Sequence, residues 1–537
     1  MEHHLKNTNG ETTTYVKVGH GDAKSGFTRR AWLKLTAGAS TTTLMMGNFW
    51  DAWGQAPQSP AEGGTAQALF QNPLFAGDYA DPTILRVGGD FYMTHTSYSF
   101  APGLVIWHSR DLVNWTPISQ VVNETHGEIW APEFVEHGGR YFIYFPMGGI
   151  YVVHAVHPRG PWSAPINLKI NDIDPGHVVG PDGKRYLYTA GGHAIELSAD
   201  GLSTIGERKV VYDGWDFPPD WKTEGVWLES PKLTKRGEYY YLICAEGGTA
   251  GPPTSHMAVV ARSKSPLGPW NNSPHNPLIH TYSADEGWWS VGHGTLVSTP
   301  DDRWYFVYHG YRKGFQTLGR NTLMEPIEWT NDGWPRAPRG PRRNEPMPAP
   351  MGVAQRPMIE LSDDFKGTAL KATWGAWKEP DMSRFKVGDG ALVVRAKGGS
   401  YAESSPLTIR ARDESYTVQV AAKIEDESRA ALGLEYNPQV AVFVELKNGR
   451  VNVTGPKEQL ATRAWAADTA WFRLVNRKNR VEILASEDGK QWQSLIADFD
   501  ASGFDHNGQH GGFQAARPAL AAIGKGSVRF AEFHYRQ

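Results

Sequence analysis

One pattern recurs five times in this chain: a polar or Pro-bearing entry, a short apolar strand, a turn, and an aromatic-rich strand. The copies are "ADPTILRVGGDFYMTH" from Ala80, "WAPEFVEHGGRYFIYF" from Trp130, "IDPGHVVGPDGKRYLYT" from Ile173, "LESPKLTKRGEYYYLICA" from Leu228 and "VGHGTLVSTPDDRWYFVYH" from Val291. Each copy reads as a β-hairpin, and hairpins returning at intervals of about 40 to 65 residues are typical of propeller blades. We therefore predict an all-β, five-bladed β-propeller, with a two-sheet sandwich as the alternative.

The propeller geometry would bring the blade entries together. The first strand of each blade lines the central axis, so residues at equivalent entry positions meet at one mouth of the channel. These residues are Asp81, a neighbour of Pro132, Asp174, Glu229 and His293. Sequence separations of more than two hundred residues would then reduce to the width of one cavity.

Three acids in that ring point to acid–base chemistry. Carboxyl groups that share a cavity repel, which raises the pKa of one while another stays ionised. Cleavage of an acetal needs this combination, because a proton donor serves the leaving oxygen and a carboxylate activates water. The competing explanation for Asp81, Asp174 or Glu229 taken singly is a turn or strand cap. Glu224, in "KTEGVW", is a rival proton donor that lies out of phase with the repeat.

Composition limits the partners and the redox chemistry. The 537 residues are too many for one core and predict two or three domains. A net charge of -3 leaves no broad basic surface, so we predict neither nucleic-acid binding nor membrane integration. The single cysteine, Cys244, excludes an intramolecular disulfide framework and is predicted to be an inert core thiol.

The N-terminus differs in character from the rest of the chain. "FTRRAWLKLTAGASTTTLMM" places Arg29 and Arg30 before a stretch too short and too polar to remain in a bilayer. This pattern is similar to a twin-arginine export signal. We predict a signal peptide and polar lead at 1–56, a linker at 57–71, and a periplasmic or secreted protein.

The C-terminal part is predicted to be a second β domain. Residues 333–357 are rich in Pro and Arg and indicate an extended connector. From 358 to 537, short runs such as "YTVQVAAKI" and "AVFVELKN" alternate apolar and polar residues between Gly and Asp turns, as in an antiparallel sandwich.

Several long motifs in order resemble glycoside hydrolase family 43. They are "NPLFAGDYADPTILRVGGDFYMTHTS", "IWHSRDLVNW", "AEGGTAGPPTSHMAVVARSKSPLGPWNNSPHNPLI", "GHGTLVSTPDDRWYFVYHGYR" and "LGRNTLMEPIEWTNDGWP". The resemblance covers residues 72 to about 345 and implies a five-bladed catalytic propeller at 72–332 that inverts the anomeric centre. The region 358–537 resembles the lectin-like jelly-roll sandwich of xylosidase-type members, which implies that it packs across the propeller and narrows the pocket. An independent carbohydrate-binding role is the alternative.

The resemblance also implies residue roles. Asp81 matches the general base, Asp174 the acid that orients the proton donor and tunes its pKa, and Glu229 the general acid. It further implies that Arg320 reaches a sugar hydroxyl near the base and that Phe100 is a stacking platform, with an ion pair and a buried loop aromatic as the respective alternatives. Two more substrate-binding candidates come from position in the repeat: His293, at the fifth blade entry on the axis, and Trp130 at the mouth, with core packing as the alternative for each. Asn321 stands where relatives usually carry Glu or Gln.

The implied activity is hydrolysis of terminal β-xylosyl or α-L-arabinofuranosyl residues from hemicellulose-derived oligosaccharides. A non-catalytic sugar-binding propeller, or action on another glycan such as galactan or arabinan, is the alternative. The expected partner is an oligosaccharide or polysaccharide. No cofactor is expected to be required. A metal at His293 or a structural calcium stays open, as does the oligomeric state.

Overall fold

The computed structural model describes residues 67–537 except 124, 126, 358, 510 and 511. The predicted export signal, and the linker up to residue 66, lie outside the described residues. Within the described part of the chain, no helix combines the length and apolarity needed to cross a membrane.

The predicted five-bladed propeller is confirmed. Each blade is an antiparallel sheet whose strands keep their sequence order, although in blade 1 the strand Phe100–Ala101 lies between the second and third strands and joins another sheet. The fourth blade gains a fifth strand that pairs with its third. The strands are Thr83–Val87, Asp90–Thr94, Gly103–Ser109 and Thr116–Val122 in blade 1; Glu133–His137, Arg140–Pro146, Ile150–Ala155 and Ile166–Asn167 in blade 2; Gly176–Val179, Arg185–Thr189, His193–Leu197 and Thr204–Val210 in blade 3; Leu228–Arg236, Tyr239–Glu246, Met257–Ser263, Asn271–Asn272 and Ile279–His280 in blade 4; Trp288–Ser298, Trp304–Arg312, Arg320–Trp329 and Pro335–Arg336 in blade 5.

The ring closes where the segment before blade 1 lies along blade 5. Phe75 forms a β-bridge with Thr322, and the Tyr79 amide donates to the Arg320 carbonyl at 2.9 Å. Farther upstream, Leu69–Phe70 pairs with Met347–Pro348. Since these contacts join the two ends of the propeller, they fix blade 1 beside blade 5.

The blades pack closely around the axis. A Cβ atom on Gly176 would lie 1.6 Å from the Pro231 carbonyl oxygen, so the first strands of blades 3 and 4 meet only because residue 176 has no side chain. Lys232, which is buried, bridges the entries of three blades through Glu133 and the Pro132 carbonyl at 2.8 Å each and the Pro175 carbonyl at 3.1 Å.

The predicted connector is partly built into the propeller. Its residues Pro335–Arg336 form the last strand of blade 5. A short 3-10 helix at Arg342–Asn344 follows, and Arg343 makes buried ion pairs with Glu286 at 2.8 Å and Glu325 at 2.9 Å. The Pro- and Arg-rich composition therefore reflects packing against blade 5 as well as a connection.

The C-terminal domain is a sandwich of two antiparallel sheets around a shared apolar core. The first sheet contains Gln459–Ala464, Arg450–Thr454, Val440–Lys447, Ser428–Asn437, Arg517–Gly524, Leu407–Ile409, Trp374–Trp377 and Phe100–Ala101. The second contains Phe385–Gly388, Ala391–Arg395, Ser527–Arg536, Ser415–Ile424, Thr469–Arg477, Arg480–Ser486 and Gln493–Asp500. Short 3-10 helices at Gln316–Leu318 and Met382–Arg384 and an α-helix at His506–Gln509 complete the fold.

The two domains share a sheet. Phe100–Ala101 comes from blade 1 and pairs with the edge of the sandwich, with Phe100 opposite Trp377 and Ala101 opposite Ala376. Main-chain hydrogen bonding across the boundary fixes the sandwich against the propeller, because the edge strand cannot slip without breaking its ladder. Loops of the sandwich thereby reach the mouth of the propeller.

Candidate active site

Four blade entries share an unusual backbone conformation. Asp81, Asp174, Ser230 and His293 have φ of 56°, 55°, 52° and 50°, in the left-handed region that non-glycine residues seldom adopt. This backbone is a feature of functional sites, where surrounding packing holds the conformation in place. The sequence comparison equated Glu229 with Asp81 and Asp174. The structure corrects this register by one residue, since Ser230-Pro231 occupies the place of Asp81-Pro82.

The entries nevertheless gather their functional side chains around one cavity of about 210 Å³. Of the predicted site residues, Asp81, Trp130, Asp174, Glu229, His293 and Arg320 all line it. The remaining lining comes from Ile173, Glu224, Trp227, Gly248, Thr249 and Phe513. Five blades and one sandwich loop therefore contribute to a single pocket.

Asp81 is held as an ionised carboxylate. It is only 3% exposed, and burial alone would raise its pKa. The Arg320 guanidinium donates to its Oδ1 at 2.9 Å, and Arg320 together with His293 and His309 brings the pKa of Asp81 well below its usual range. The Thr96 hydroxyl donates to Oδ2 at 2.5 Å. These contacts leave Asp81 charged at neutral pH and fix its orientation.

Asp174 and Glu229 are shifted in the opposite direction. Burial, and then the charge of Asp81, raise the pKa of Asp174 to about 7, although the Ser230 amide donates to its Oδ2 at 3.1 Å. Burial, and then the charges of Asp174 and Asp81, raise the pKa of Glu229 to about 8. The pocket thus pairs an ionised carboxylate with a carboxylic acid that keeps its proton at neutral pH.

Two buried histidines stand beside Asp81, and of these His293 lines the pocket whereas His309 contacts Asp81 without lining it. His293 Nδ1 lies 3.4 Å from Asp81 Oδ1 and 3.9 Å from Asp174 Oδ2. His309 Nδ1 lies 3.0 Å from Asp81 Oδ1, and its Nε2 is 3.0 Å from the Thr249 hydroxyl. Burial lowers the pKa of both rings, to about 4 for His309 and well below the usual range for His293. Both are therefore neutral hydrogen-bonding groups at pH 7.

The pocket contains residues that sequence reasoning missed. Phe513 lies in the sandwich, more than 190 residues beyond Arg320, and the Arg320 guanidinium carbon lies 5.4 Å from its ring centre. Phe513 also stacks on His506, at 4.3 Å between ring centroids. Trp227 and Thr249 line the pocket too. The repeat carries no signal for Phe513, which reaches the pocket only because the two domains pack together.

Glu224, considered from sequence as a rival donor, also lines the pocket. Its Oε2 accepts from the Ala250 amide at 2.9 Å, and its own amide donates to the Ser255 hydroxyl at 2.7 Å. Its charge contributes to raising the pKa of Glu229. Glu224 therefore stands at the wall of the pocket next to the proposed donor.

The expected stacking role of Phe100 is corrected by its position. Phe100 is 3% exposed and does not line the pocket. Its ring lies edge-on to Trp377 at 5.2 Å, and the Arg517 guanidinium covers the ring at 3.8 Å. Phe100 belongs to the strand that joins the sandwich sheet, so its side chain packs in the interface between the domains.

The residues near His293 offer a poor calcium site. Among the described residues, the one group of acidic, His or Cys side chains close enough to share an ion is Asp81, His293 and His309, with candidate ligand atoms within 4.8 Å of one another. Calcium prefers six to eight oxygen ligands, whereas two of these three groups offer imidazole nitrogen. Arg320 already donates to Asp81. We assign no metal to this cluster.

Comparison with known proteins gives a consistent result. Residues 70–335 match the sequence profile described as "Glycosyl hydrolases family 43". The chain is 30% identical over 393 residues to the non-reducing end alpha-L-arabinofuranosidase BoGH43B of Bacteroides ovatus, a match that covers 67% of this chain and 71% of that protein. It is 29% identical to a xylan 1,3-beta-xylosidase of a Vibrio species, over 79% of this chain and 90% of the relative.

Solved structures extend the similarity to both domains. A xylan beta-1,4-xylosidase from Bacillus halodurans C-125 superimposes with a TM-score of 0.76 at 26% identity, over 87% of this chain and all of that protein. The GH43 protein BlXynB of Bacillus licheniformis gives a TM-score of 0.79 at 25% identity, over 87% and 99% of the two chains. The propeller and the sandwich are therefore shared as one arrangement.

Proposed function

Because the chain belongs to glycosyl hydrolase family 43, we propose that it removes terminal β-xylosyl or α-L-arabinofuranosyl residues from hemicellulose-derived oligosaccharides, with inversion. The observation that carries the proposal is the pair of opposed pKa shifts in one pocket: Asp81 well below its usual range and Glu229 raised to about 8. A propeller that only bound sugar would not need a carboxylate and a carboxylic acid in the same cavity.

The proposed reaction has one chemical step. Asp81 takes a proton from a water molecule as that water attacks the anomeric carbon. Glu229 gives its proton to the glycosidic oxygen as the bond to the leaving group breaks. The two proton transfers leave Asp81 protonated and Glu229 ionised, and exchange with solvent restores both groups. Asp174 remains beside the donor and tunes its pKa.

The size of the pocket favours a substrate from which a single sugar unit enters. At about 210 Å³ it is smaller than the roughly 300 to 1,000 Å³ of pockets that enclose drug-sized ligands, so it suits one sugar unit. Trp130 and Phe513 supply apolar faces on which a sugar ring can stack, and Arg320 can reach a hydroxyl group. These features favour removal of terminal units over cleavage within a chain.

The proposal is tested by the identity and configuration of the product. We expect the purified protein to hydrolyse an aryl β-xyloside or an aryl α-L-arabinofuranoside, and proton NMR of the first turnovers to show a sugar of inverted anomeric configuration. Aryl galactosides and arabinan oligosaccharides serve as comparison substrates. Binding of xylose without turnover of any glycoside would favour the sugar-binding alternative, and a retained configuration would contradict the single-step mechanism.

A further prediction concerns the alkaline limb of the pH profile. Turnover requires protonated Glu229, so activity falls as pH rises through the pKa of Glu229. The charge of Asp174 raises that pKa, and Asp174→Asn should therefore move the alkaline limb of kcat/KM to lower pH, by about one unit. Asp172→Asn is the control, because Asp172 accepts from the Thr189 hydroxyl in blade 3 and does not line the pocket. An unmoved limb in Asp174→Asn would remove Asp174 from the tuning role.

A further inference from the structure

A line of polar contacts runs from the sandwich to the pocket. Arg517, the first residue of its strand, donates from Nη2 to Oδ2 of Asp78 at 2.8 Å. The Tyr98 hydroxyl lies 3.3 Å from Oδ1 of Asp78, and Arg320 donates to that hydroxyl at 3.0 Å. Arg320 also holds Asp81 at 2.9 Å. Four contacts thus connect a sandwich residue to the proposed base.

Every member of this line is buried. Asp78 and Tyr98 have no solvent exposure, and Arg517, Asp81 and Arg320 are at most 5% exposed. A buried carboxylate that loses its charged partner is strongly destabilised and attracts the nearest remaining cation. Tyr98 offers Asp78 a hydrogen bond but no charge. Arg517 is therefore the group that neutralises Asp78.

The backbone also ties Asp78 to Arg320. A Cβ atom on Gly319, the residue directly before Arg320, would lie 2.5 Å from Asp78 Oδ1. Gly319 has φ of 72° and so adopts the left-handed conformation as well. The main chain that carries Arg320 packs directly on the Asp78 carboxylate. A displacement of that carboxylate would therefore change the position of Arg320.

We propose that Arg517 is a positioning residue for the reaction: by neutralising Asp78, it leaves the Arg320 guanidinium to Asp81. Arg517 does not line the pocket and acts through the other members of the line. The inference rests on the proposed function, since it takes Asp81 as the base. It makes the sandwich part of the electrostatic machinery of the propeller site.

Removal of Arg517 should shift the acid limb of the pH profile in a definite direction. An unpaired Asp78 would draw Arg320 toward Tyr98 and add negative potential at Asp81, which raises the pKa of Asp81. The base must be ionised, so activity falls as pH drops through that pKa, and the acid limb would move to higher pH. The titratable groups that face Asp81 are Arg320, His293, His309, His95, His256, Asp174, Glu229, Tyr98 and Tyr311. Those that face Asp78 are Arg517, Tyr98, His309, Tyr311 and Tyr436.

The experiment compares the pH dependence of kcat/KM in the full-length wild type and three variants. We expect Arg517→Met to move the acid limb to higher pH by about one unit. The double variant Arg517→Met/Asp78→Asn removes both charges and should return the limb toward its wild-type position. Arg384→Met is the matched control, because Arg384 is a buried sandwich arginine paired with Glu379 at 2.5 Å, and it should lose stability without moving the limb.

A folded Arg517→Met with an unmoved limb, or an equal shift in Arg384→Met, would overturn the inference. If Arg517→Met does not fold, Arg517→Gln replaces it, since glutamine keeps a donor for Asp78 without the charge, and the same shift is expected. If the wild type hydrolyses no glycoside, the proposed function fails separately. In that case, carboxyl-carbon NMR of protein labelled at aspartate measures the pKa of Asp81 directly. If the pKa of Asp81 is the same in Arg517→Met as in the wild type, the inference is overturned.

Discussion

Replacing Glu229 by Gln should reduce kcat for glycosides with a strongly basic leaving group by about a thousandfold, within the range typical of a lost general acid. Glutamine has nearly the shape of glutamic acid but cannot give up a proton. Glycosides whose leaving group is a weakly basic dinitrophenolate need little protonation, so the same variant should cleave them with kcat within about tenfold of wild type. Stopped assays across a series of aryl leaving groups measure this difference.

The control for Glu229 is the neighbouring acid of the pocket. Glu224→Gln should keep the leaving-group dependence of the wild type, because Glu224 accepts from the Ala250 amide and is not assigned the proton. Its removal should lower the pKa of Glu229 slightly, since its charge contributes to raising that pKa. A steep leaving-group dependence in Glu224→Gln, with a shallow one in Glu229→Gln, would exchange the two roles.

The loss in Asp81→Asn should be at least as large and should have a different signature. Asparagine cannot accept a proton from the attacking water, so we expect kcat to fall by about a thousandfold to ten-thousandfold. Because the missing step is activation of water, a weakly basic leaving group should not recover the rate. The same series of aryl glycosides therefore distinguishes the base from the acid.

Two controls accompany the Asp81→Asn measurement. Asp90→Asn, in the same blade, should retain activity because Asp90 pairs with Arg110 and His108 and does not line the pocket. Thermal unfolding of Asp81→Asn shows whether the fold survives, since Arg320 loses its charged partner in that variant. Recovery of rate with a better leaving group in Asp81→Asn would contradict its assignment as base.

Much of the site could be predicted from the sequence because a propeller repeats in space what it repeats in sequence. Asp81, Asp174 and His293 occupy equivalent entry positions in blades 1, 3 and 5, and the axis brings them together. Glu229 was found by the same argument although it lies one residue before the equivalent position, which Ser230 occupies. This one-residue error in register did not affect the assignment of Glu229 to the site, because adjacent residues at a blade entry both lie close to the axis.

Other features of the site depend on contacts between the two domains, which the sequence repeat does not indicate. Phe100 reads as a pocket aromatic from its neighbours in sequence, yet its backbone adds to the sandwich sheet and its ring is buried against Trp377. Phe513 and Arg517 lie more than 400 residues from Asp78 and Asp81 and belong to the other domain. A local pattern carries no information about which loop of a second domain will face a given cavity.

The sequence by itself determined the five-bladed propeller, the sandwich that follows it, and the acids that meet at the axis, because hydrophobic alternation and a regular repeat specify strands and their equivalence. Only the tertiary structure decided which acid is charged. That choice depends on burial and on the placement of Arg320 beside Asp81, whereas at Glu229 burial and the charges of Asp174 and Asp81 outweigh the opposing charge of Arg320. Electrostatic energies depend on distance and desolvation in three dimensions, which the order of residues does not state.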